Sequence, residues 1–432
     1  MQSTPGPTVA TDDWITYAHD QARSGLQLQA TGITRSSAGS LKQRWKVSLG
    51  ETIYASPIVA GGAVYVATDS GTVAALDAAT GALRWRVHVG SSVRATPALI
   101  DGTLFVGVYG VANFAAQTTS GAAVVALDPA TGAQRWRAVP QNAGNVGLVR
   151  SEPVVLNGVV YEGLAGGDDT TGCVSGGVMA LDERSGTPVM NFWATAQAGG
   201  AGGGGVWSPF STDGTNVYVG TGNGCGTETA GYSDAMVSLT RSLSVNWSRS
   251  AFVAPGGDED VGGALNVAGT QAYFVAKSGL LYAVDRNSGN VAWQRDLKPW
   301  TRGGGAIGTP TGDGTMIIVT GGELQNPDLV NPPGCAISAF DLSGNPLYTF
   351  SSQYVVYGHA SFVPGVGVIG LDHQLVAFNS QTGQTLWSSG DLGANLYASP
   401  AIVPSGVYTA TLGGDVVAFS QNGVLPSLLR RR

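Results

Sequence analysis

The sequence predicts an all-β fold: a single eight-bladed β-propeller of four-stranded antiparallel blades. Three observations carry this. A turn phrase built on Asp and Gly recurs eight times, a short strand usually opening with Ser/Thr-Pro precedes each copy, and both ends of the chain supply parts of one blade. Repeats of roughly 40–55 residues holding four strands each are the signature of a propeller.

The turn phrase is an apolar doublet, Asp, two variable residues, Thr/Ser-Gly and then an aromatic. It reads Ala75-Leu76-Asp77…Thr80-Gly81…Trp85, then Ala126-Leu127-Asp128…Thr131-Gly132…Trp136, Ala180-Leu181-Asp182…Ser185-Gly186…Trp193 and Ala283-Val284-Asp285…Ser288-Gly289…Trp293. Ala339-Phe340-Asp341…Phe350 and Ala377-Phe378-Asn379…Thr382-Gly383…Trp387 are weaker copies, and those around Leu239…Trp247 and Ala418-Phe419-Ser420 are degenerate. Asp opens such a turn by bonding its own backbone, and Gly supplies the positive φ that reverses the chain. The openers are Ser56-Pro57, Thr96-Pro97, Glu152-Pro153, Ser208-Pro209, Thr309-Pro310 and Ser399-Pro400, with Ala264-Leu265 and Ala360-Ser361 eroded. Proline lacks an amide donor, so it suits a strand edge such as the one lining the central channel. The last repeat lacks a late tryptophan, yet Trp45 precedes Pro57 by the same gap as Trp85 precedes Pro97. Trp45 therefore marks an outer strand of the last blade, supplied by the N-terminus, which removes a free sheet edge. Residues 1–40 are read as an N-terminal extension and 41–432 as the propeller.

Composition agrees. There are 65 Gly, only 12% of residues are charged, and the formal net charge is −7. With no basic stripe except Arg430 to Arg432, nucleic-acid binding is not expected. No apolar run reaches the ~18 residues of a membrane span. The polar, Pro-rich start reads like the trimmed beginning of an exported protein, periplasmic or secreted. No C-x-x-C-H is present among Cys173, Cys225 and Cys335, so no c-type haem is attached.

With strands named A to D from the axis outward, the A–B and C–D turns are short, and they share one face of the disc. The long segments Tyr109–Ser120, Gly166–Gly176, Gly222–Ser233 and Gly322–Gly334 are all B–C loops. The D–A loops of blades 2 to 4, including Gly199–Gly205, join them on the opposite face. Function-bearing loops on a rigid scaffold cluster in this way.

On that face several residues depart from the repeat: Asp168 and Asp169 in blade 3, Trp207 and Asn223 in blade 4, Asp258 and Asp260 before blade 5, and Lys277 within it. Taken singly, each has an ordinary structural role. Together they offer carboxylates, an amide oxygen, a lysine and an indole near the axis, and such hard oxygen ligands suit Ca²⁺. Arg94 and Arg150, each three residues before an inner-strand proline, stand where they can pair with ligand carboxylates.

The repeat phrase, the opening Trp14-Ile-Thr-Tyr-Ala-His-Asp20 and the stretch Gly205-Val-Trp-Ser-Pro…Tyr218-Val-Gly-Thr-Gly-Asn223 resemble the quinoprotein dehydrogenases. These are eight-bladed propellers binding pyrroloquinoline quinone (PQQ) and Ca²⁺, among them alcohol and polyvinyl alcohol dehydrogenases. The resemblance spans nearly the whole chain. It implies that Trp207 stacks on the cofactor, that Asp168, Asn223 and Asp258 ligate the metal, that Asp258 or Asp260 is the general base, and that Lys277 meets the quinone oxygens. It further implies an alcohol substrate, small or polymeric, and a separate electron acceptor such as a cytochrome c. Two departures stand out. Many alcohol-oxidising members carry adjacent cysteines over the cofactor, whereas the loop around Val108 to Phe114 has none, and Asp168 stands where the family usually has Glu. Cys173 and Cys225, in neighbouring loops, are expected to form a disulfide in an oxidising compartment, with Cys335 unpaired. The rival reading is a non-catalytic propeller that binds a protein or polymer on the same face.

Overall fold

The local chemistry of the repeat phrase is visible at every well-formed turn. In the computed structural model, Asp77 accepts the backbone N–H groups of Ala79 (3.1 Å) and Thr80 (2.9 Å), and Gly81 sits at φ +76°. The A–B turns Gly61-Gly62, Asp101-Gly102 and Asn157-Gly158 have positive φ at both residues, the hairpin geometry that matches strand twist. The structure describes residues 12–29, 31–113, 118–140, 148–165, 175–195, 202–224, 231–251, 259–297, 308–320, 336–351, 356 and 358–424.

These turns generate eight antiparallel sheets. Blade 1 runs Ile58–Ala60, Ala63–Ala67, Thr72–Asp77 and Leu83–His88, and six further blades repeat it in sequence order. Blade 3 carries an extra short strand, Leu148–Val149, paired to Val159–Ala165. Blade 8 is completed by the N-terminal strand Leu41–Ser48, which pairs with Asp415–Gln421 and sets Trp45 opposite Ala418. Strands A to C are buried almost throughout because neighbouring blades cover both faces, whereas the outer strand Leu83–His88 alternates toward solvent. The only helical element among the described residues is the short 3₁₀ turn Ala38–Ser40.

The recurring tryptophans lock each blade to the next. Trp45, Trp85, Trp136, Trp247 and Trp293 donate their indole N–H to Ala78, Pro129, Glu183, Arg286 and Leu342, at 2.9–3.1 Å. Each acceptor carbonyl directly follows the turn-opening Asp of the next blade. The turn glycine lies flat beneath the indole: a Cβ at Gly132 would sit 2.6 Å from Trp85, and one at Gly186 2.5 Å from Trp136. Gly thus serves both positive φ and ring clearance.

Two aromatics assigned to this seat from sequence are corrected. In blade 6 the seat belongs to Tyr348, whose hydroxyl donates to Ser380 O at 2.5 Å, and not to Phe350. In blade 3 Met190 stands opposite Ala180, in the register of Trp85 opposite Ala75, while Trp193 lies further along, opposite Gly177. The facing turn of blade 4 has Leu243 at φ +60° where the others have Gly, and Met190 packs against the core cluster that holds Leu243. A smaller side chain on one blade is matched by a larger one on the next.

Candidate functional site

One mouth of the axial channel is closed by the segment before blade 1. Trp14 exchanges backbone bonds with Val59 at 2.7 and 2.9 Å, and Leu99, Thr212, Val267 and Phe362 donate N–H to Ile15, Gln21, Ala22 and Gly25. Arg23 is fully buried at the centre of this floor. Its guanidinium donates to Thr16 Oγ1 and Tyr17 O, both at 2.9 Å, to Glu152 O and Pro153 O, both at 3.3 Å, and to Phe210 O. Burial pulls its pKa down to about 10, against the opposing pull of Glu152 and Asp20. The backbone pairings run along the inner strands, and the Arg23 guanidinium reaches from them toward the strand openers at the other end.

At the other mouth the strand openers stitch blade to blade. Ser56 N–H donates to Thr96 Oγ1 (3.1 Å), Ala264 N–H to Thr309 Oγ1 (2.9 Å), His359 N–H to Ser399 Oγ (2.9 Å) and Ser399 N–H to Ser56 Oγ (2.9 Å). The Ser/Thr before the proline is therefore an inter-blade cap. In blade 7 that position is His359, one residue before the eroded opener read from sequence. Inside this ring lies a cavity of about 120 Å³ whose wall includes Tyr17, Tyr54, Arg94, Arg150, Glu152, Trp207 and Tyr397.

Trp207 is half-buried on the cavity wall, with Lys277 Nζ 5.1 Å and Arg150 Cζ 5.7 Å from its ring centroid, both within cation–π range. Lys277 Nζ bonds Asp260 Oδ2 at 2.9 Å, and Asn223 N–H donates to Asp260 Oδ1 at 2.7 Å. Glu259 N–H approaches Asn223 Oδ1 at 3.3 Å. Gly222 makes this meeting possible, since a Cβ there would stand 3.0 Å from Asp260 Oδ1 and 3.3 Å from Trp207 Nε1. Trp207 and Asn223 of blade 4 and Asp260 and Lys277 of blade 5, all selected from sequence, thus converge.

Arg94 is held by Asp69 through two contacts, Nε–Oδ1 at 2.7 Å and Nη2–Oδ2 at 3.3 Å, and lies over the Tyr54 ring at 5.1 Å. Partial burial would raise the Asp69 carboxyl, but bonds from Arg94 and Ser92 hold it below the usual carboxylate range. Arg150, by contrast, forms no ion pair among the described residues and leans on Trp207, its charge acting at longer range on Asp69 and Tyr397. The cavity therefore keeps one guanidinium outside any ion pair of the described residues, beside an indole face and a set of tyrosines. That donor set fits a planar, carboxylate-bearing ring.

Asp168, Asp169, Asp258, Cys173, Cys225 and Cys335 lie outside the described residues. Among the described residues no group of three or more His, Cys, Asp or Glu is placed to hold a metal ion. Tyr17, Tyr54, Tyr397 and Glu152 were not selected from sequence. Tyr54 and Tyr397 occupy the same place relative to the strand-opening proline as Arg94 and Arg150, in the repeated phrase Tyr-Ala-Ser-Pro, a signal that was available.

The ring of eight blades, five of them locked to the next by a tryptophan, plugged at one mouth and polar at the other, defines a β-propeller of the PQQ-repeat class. The family model described as outer membrane protein assembly factor BamB matches residues 30–295 and 237–425, and the chain belongs to that family. No curated protein matches the sequence. Among solved structures, a quinohemoprotein alcohol dehydrogenase from Comamonas testosteroni superposes with TM-score 0.78 at 17% identity, over 96% of this chain and 81% of that one. A europium-containing methanol dehydrogenase gives TM-score 0.74 at 16% identity, over 97% and 98%. BamB from Moraxella catarrhalis gives 0.62 at 16% identity, over 88% and 97%. At such identities the likeness speaks for the fold. No helix among the described residues is long and apolar enough to cross a membrane.

Proposed function

We propose that this chain is an exported quinoprotein oxidoreductase that binds PQQ with Ca²⁺ at the open mouth and oxidises an alcohol. The observation that carries the reading is the meeting of Trp207, Arg150, Asn223 and the Lys277–Asp260 pair beside one cavity. The dehydrogenases among the fold neighbours lend it support.

Trp207 offers a flat face to the ring, and Arg94 and Arg150 meet its carboxylates. Asn223 contributes an amide oxygen toward the metal, with Asp168 and Asp258 as the further ligands. When bound, the quinone supplies a two-electron hydride acceptor polarised by the cation. Asp260, already within reach of an ammonium and an amide N–H, is a carboxylate suited to accept the alcohol proton, as is Asp258. With the quinone bound, Lys277 would offer its ammonium charge to the quinone oxygens. Electrons leave to a separate acceptor such as a cytochrome c. A disulfide between Cys173 and Cys225 would suit a periplasmic or secreted protein.

The family match and the BamB neighbour support a second reading, a non-catalytic scaffold for a protein or polymer. Purified protein given PQQ and Ca²⁺, then assayed for alcohol-dependent reduction of an artificial dye, separates the two. Dye reduction supports the enzyme. PQQ binding without reduction across an alcohol panel removes the dehydrogenase, and no binding leaves the scaffold.

A further inference from the structure

One junction of the capping ring at the open mouth uses an acceptor of a different kind. Four of its junctions use a Ser or Thr hydroxyl as the acceptor, so a hydroxyl suffices to join the blades. Between blades 2 and 3 the acceptor is a carboxyl instead: Thr96 N–H donates to Glu152 Oε1 at 3.1 Å. Glu152 is only 9% exposed, and it shares the cavity wall with Arg150 and Trp207. One carboxyl oxygen does the work that a hydroxyl does elsewhere. The group carries a second oxygen that no other junction needs.

We propose that Glu152 is a further ligand-contacting residue of this site, a carboxyl group that presents its proton to an oxygen of the planar anion held beside Trp207. This rests on the cofactor reading given above and adds to it a residue and a pH dependence.

Charged and titratable groups surround Glu152 on every side. Arg23 and Tyr17 come from the N-terminal segment beneath, and Arg23 bonds the Glu152 backbone carbonyl. Glu162 lies in the same blade, fully buried and bonded to Ser151. The Arg94–Asp69 pair stands on blades 1 and 2, and Arg150 shares the cavity wall. Tyr397 and His359 belong to blades 8 and 7, and the Lys277–Asp260 pair lies beyond Trp207. Burial pushes the Glu152 carboxyl up to about 7, with the Thr96 N–H and the Arg23 charge pulling the other way. Burial also drives His359 down to about 3, so the imidazole stays neutral. Below about pH 7 Glu152 is therefore protonated and donates. Above it, a carboxylate faces the anion, and affinity falls as pH rises.

The test is the Kd of PQQ, by fluorescence titration with CaCl₂ present, at pH 6 and pH 8.5 for the wild type, Glu152→Gln, Glu152→Thr and Glu162→Gln. Loss of a charge-sensitive hydrogen bond predicts that the wild-type Kd rises about tenfold or more between the two pH values. Glu152→Gln, a neutral donor at both, should stay within about threefold. Glu152→Thr restores the hydroxyl of the other junctions but lacks the second contact, so it should be about tenfold weaker than wild type at pH 6 and insensitive to pH. Glu162→Gln should keep the wild-type profile, since Glu162 is not on the cavity wall. If Glu152→Gln retains the wild-type pH dependence, or if Glu152→Thr binds as tightly as wild type at pH 6, this role for Glu152 is overturned while the cofactor reading stands. If the wild type binds no PQQ at either pH, both fall together.

Discussion

Replacing the two members of the Lys277–Asp260 pair separately and together probes the site without any ligand. The pair is 2.9 Å apart, and the side chains are 17% and 11% exposed. Removing one partner leaves the other charge in a poorly solvated place, which costs about 3–5 kcal/mol for a fully buried pair. The residual exposure here lowers that to roughly 2–4 kcal/mol. Asp260→Asn keeps an oxygen for the Asn223 N–H, and Lys277→Met keeps the length of the stem, so each removes mainly charge. The double variant removes both charges of the pair. Its loss in urea unfolding at pH 7 should fall short of the summed single losses by about 1.5 kcal/mol or more, and 0.5 M salt should change that coupling little because the pair is shielded. Additivity within about 0.5 kcal/mol, or a coupling erased by salt, would refute the claim that the two charges depend on each other beside Trp207.

Gly132→Ala and Gly158→Ala share a positive φ, +73° and +78°, but only Gly132 lies against an indole. Both should lose about 1–2 kcal/mol for the left-handed backbone, and Gly132→Ala should lose at least a further ~1.5 kcal/mol as Trp85 is displaced; equal thermal shifts would contradict the interlock. Met190→Trp alone should overpack against Leu243 by about 1–3 kcal/mol, and Met190→Trp with Leu243→Gly should recover most of it, as measured by urea midpoints. Burial raises the Glu162 carboxyl to about 8 from an ordinary 4.5, even with Ser151 bonded to it. The folded state thus holds a proton that the unfolded chain releases, and this stability is full below about pH 4.5 and lost as pH rises through 8. Glu162→Gln should remove on the order of 3 kcal/mol of the fall in stability between pH 5 and pH 8. An unchanged pH–stability slope would count against a protonated Glu162.

The wheel could be read from sequence because its chemistry is local. Asp77, Thr80 and Gly81 form their turn within five residues, and the tryptophan seat lies four residues beyond the glycine. Where a departure spans two blades, a local phrase gives no guide: Met190 answers Leu243 some fifty residues away, so the nearby Trp193 was taken for the interlocking ring. The same limit governs the site. Trp207, Asn223, Asp260 and Lys277 stood out as breaks in the repeat and do meet. Asp69 precedes Asp77 by eight residues, as Lys277 precedes Asp285, but its bond to Arg94 depends on how two blades are juxtaposed. Tyr54 and Tyr397 were not singled out, and Glu152 was read as one more strand opener, because only the closed ring turns those positions toward a common cavity. The place of Arg23 in the floor left no signal, since it is fixed by the Glu152, Pro153 and Phe210 carbonyls of distant blades.

The central claim is that the unplugged mouth holds a flat, carboxylated quinone against Trp207 under the charge of Arg150. Calorimetric titration of PQQ with Ca²⁺ into wild type, Trp207→Ala and Arg150→Met tests this most directly. One site per chain in the wild type, weakened at least about tenfold in each variant with the fold retained, is the predicted result. Wild-type binding that neither substitution alters would place the ligand elsewhere and contradict the account.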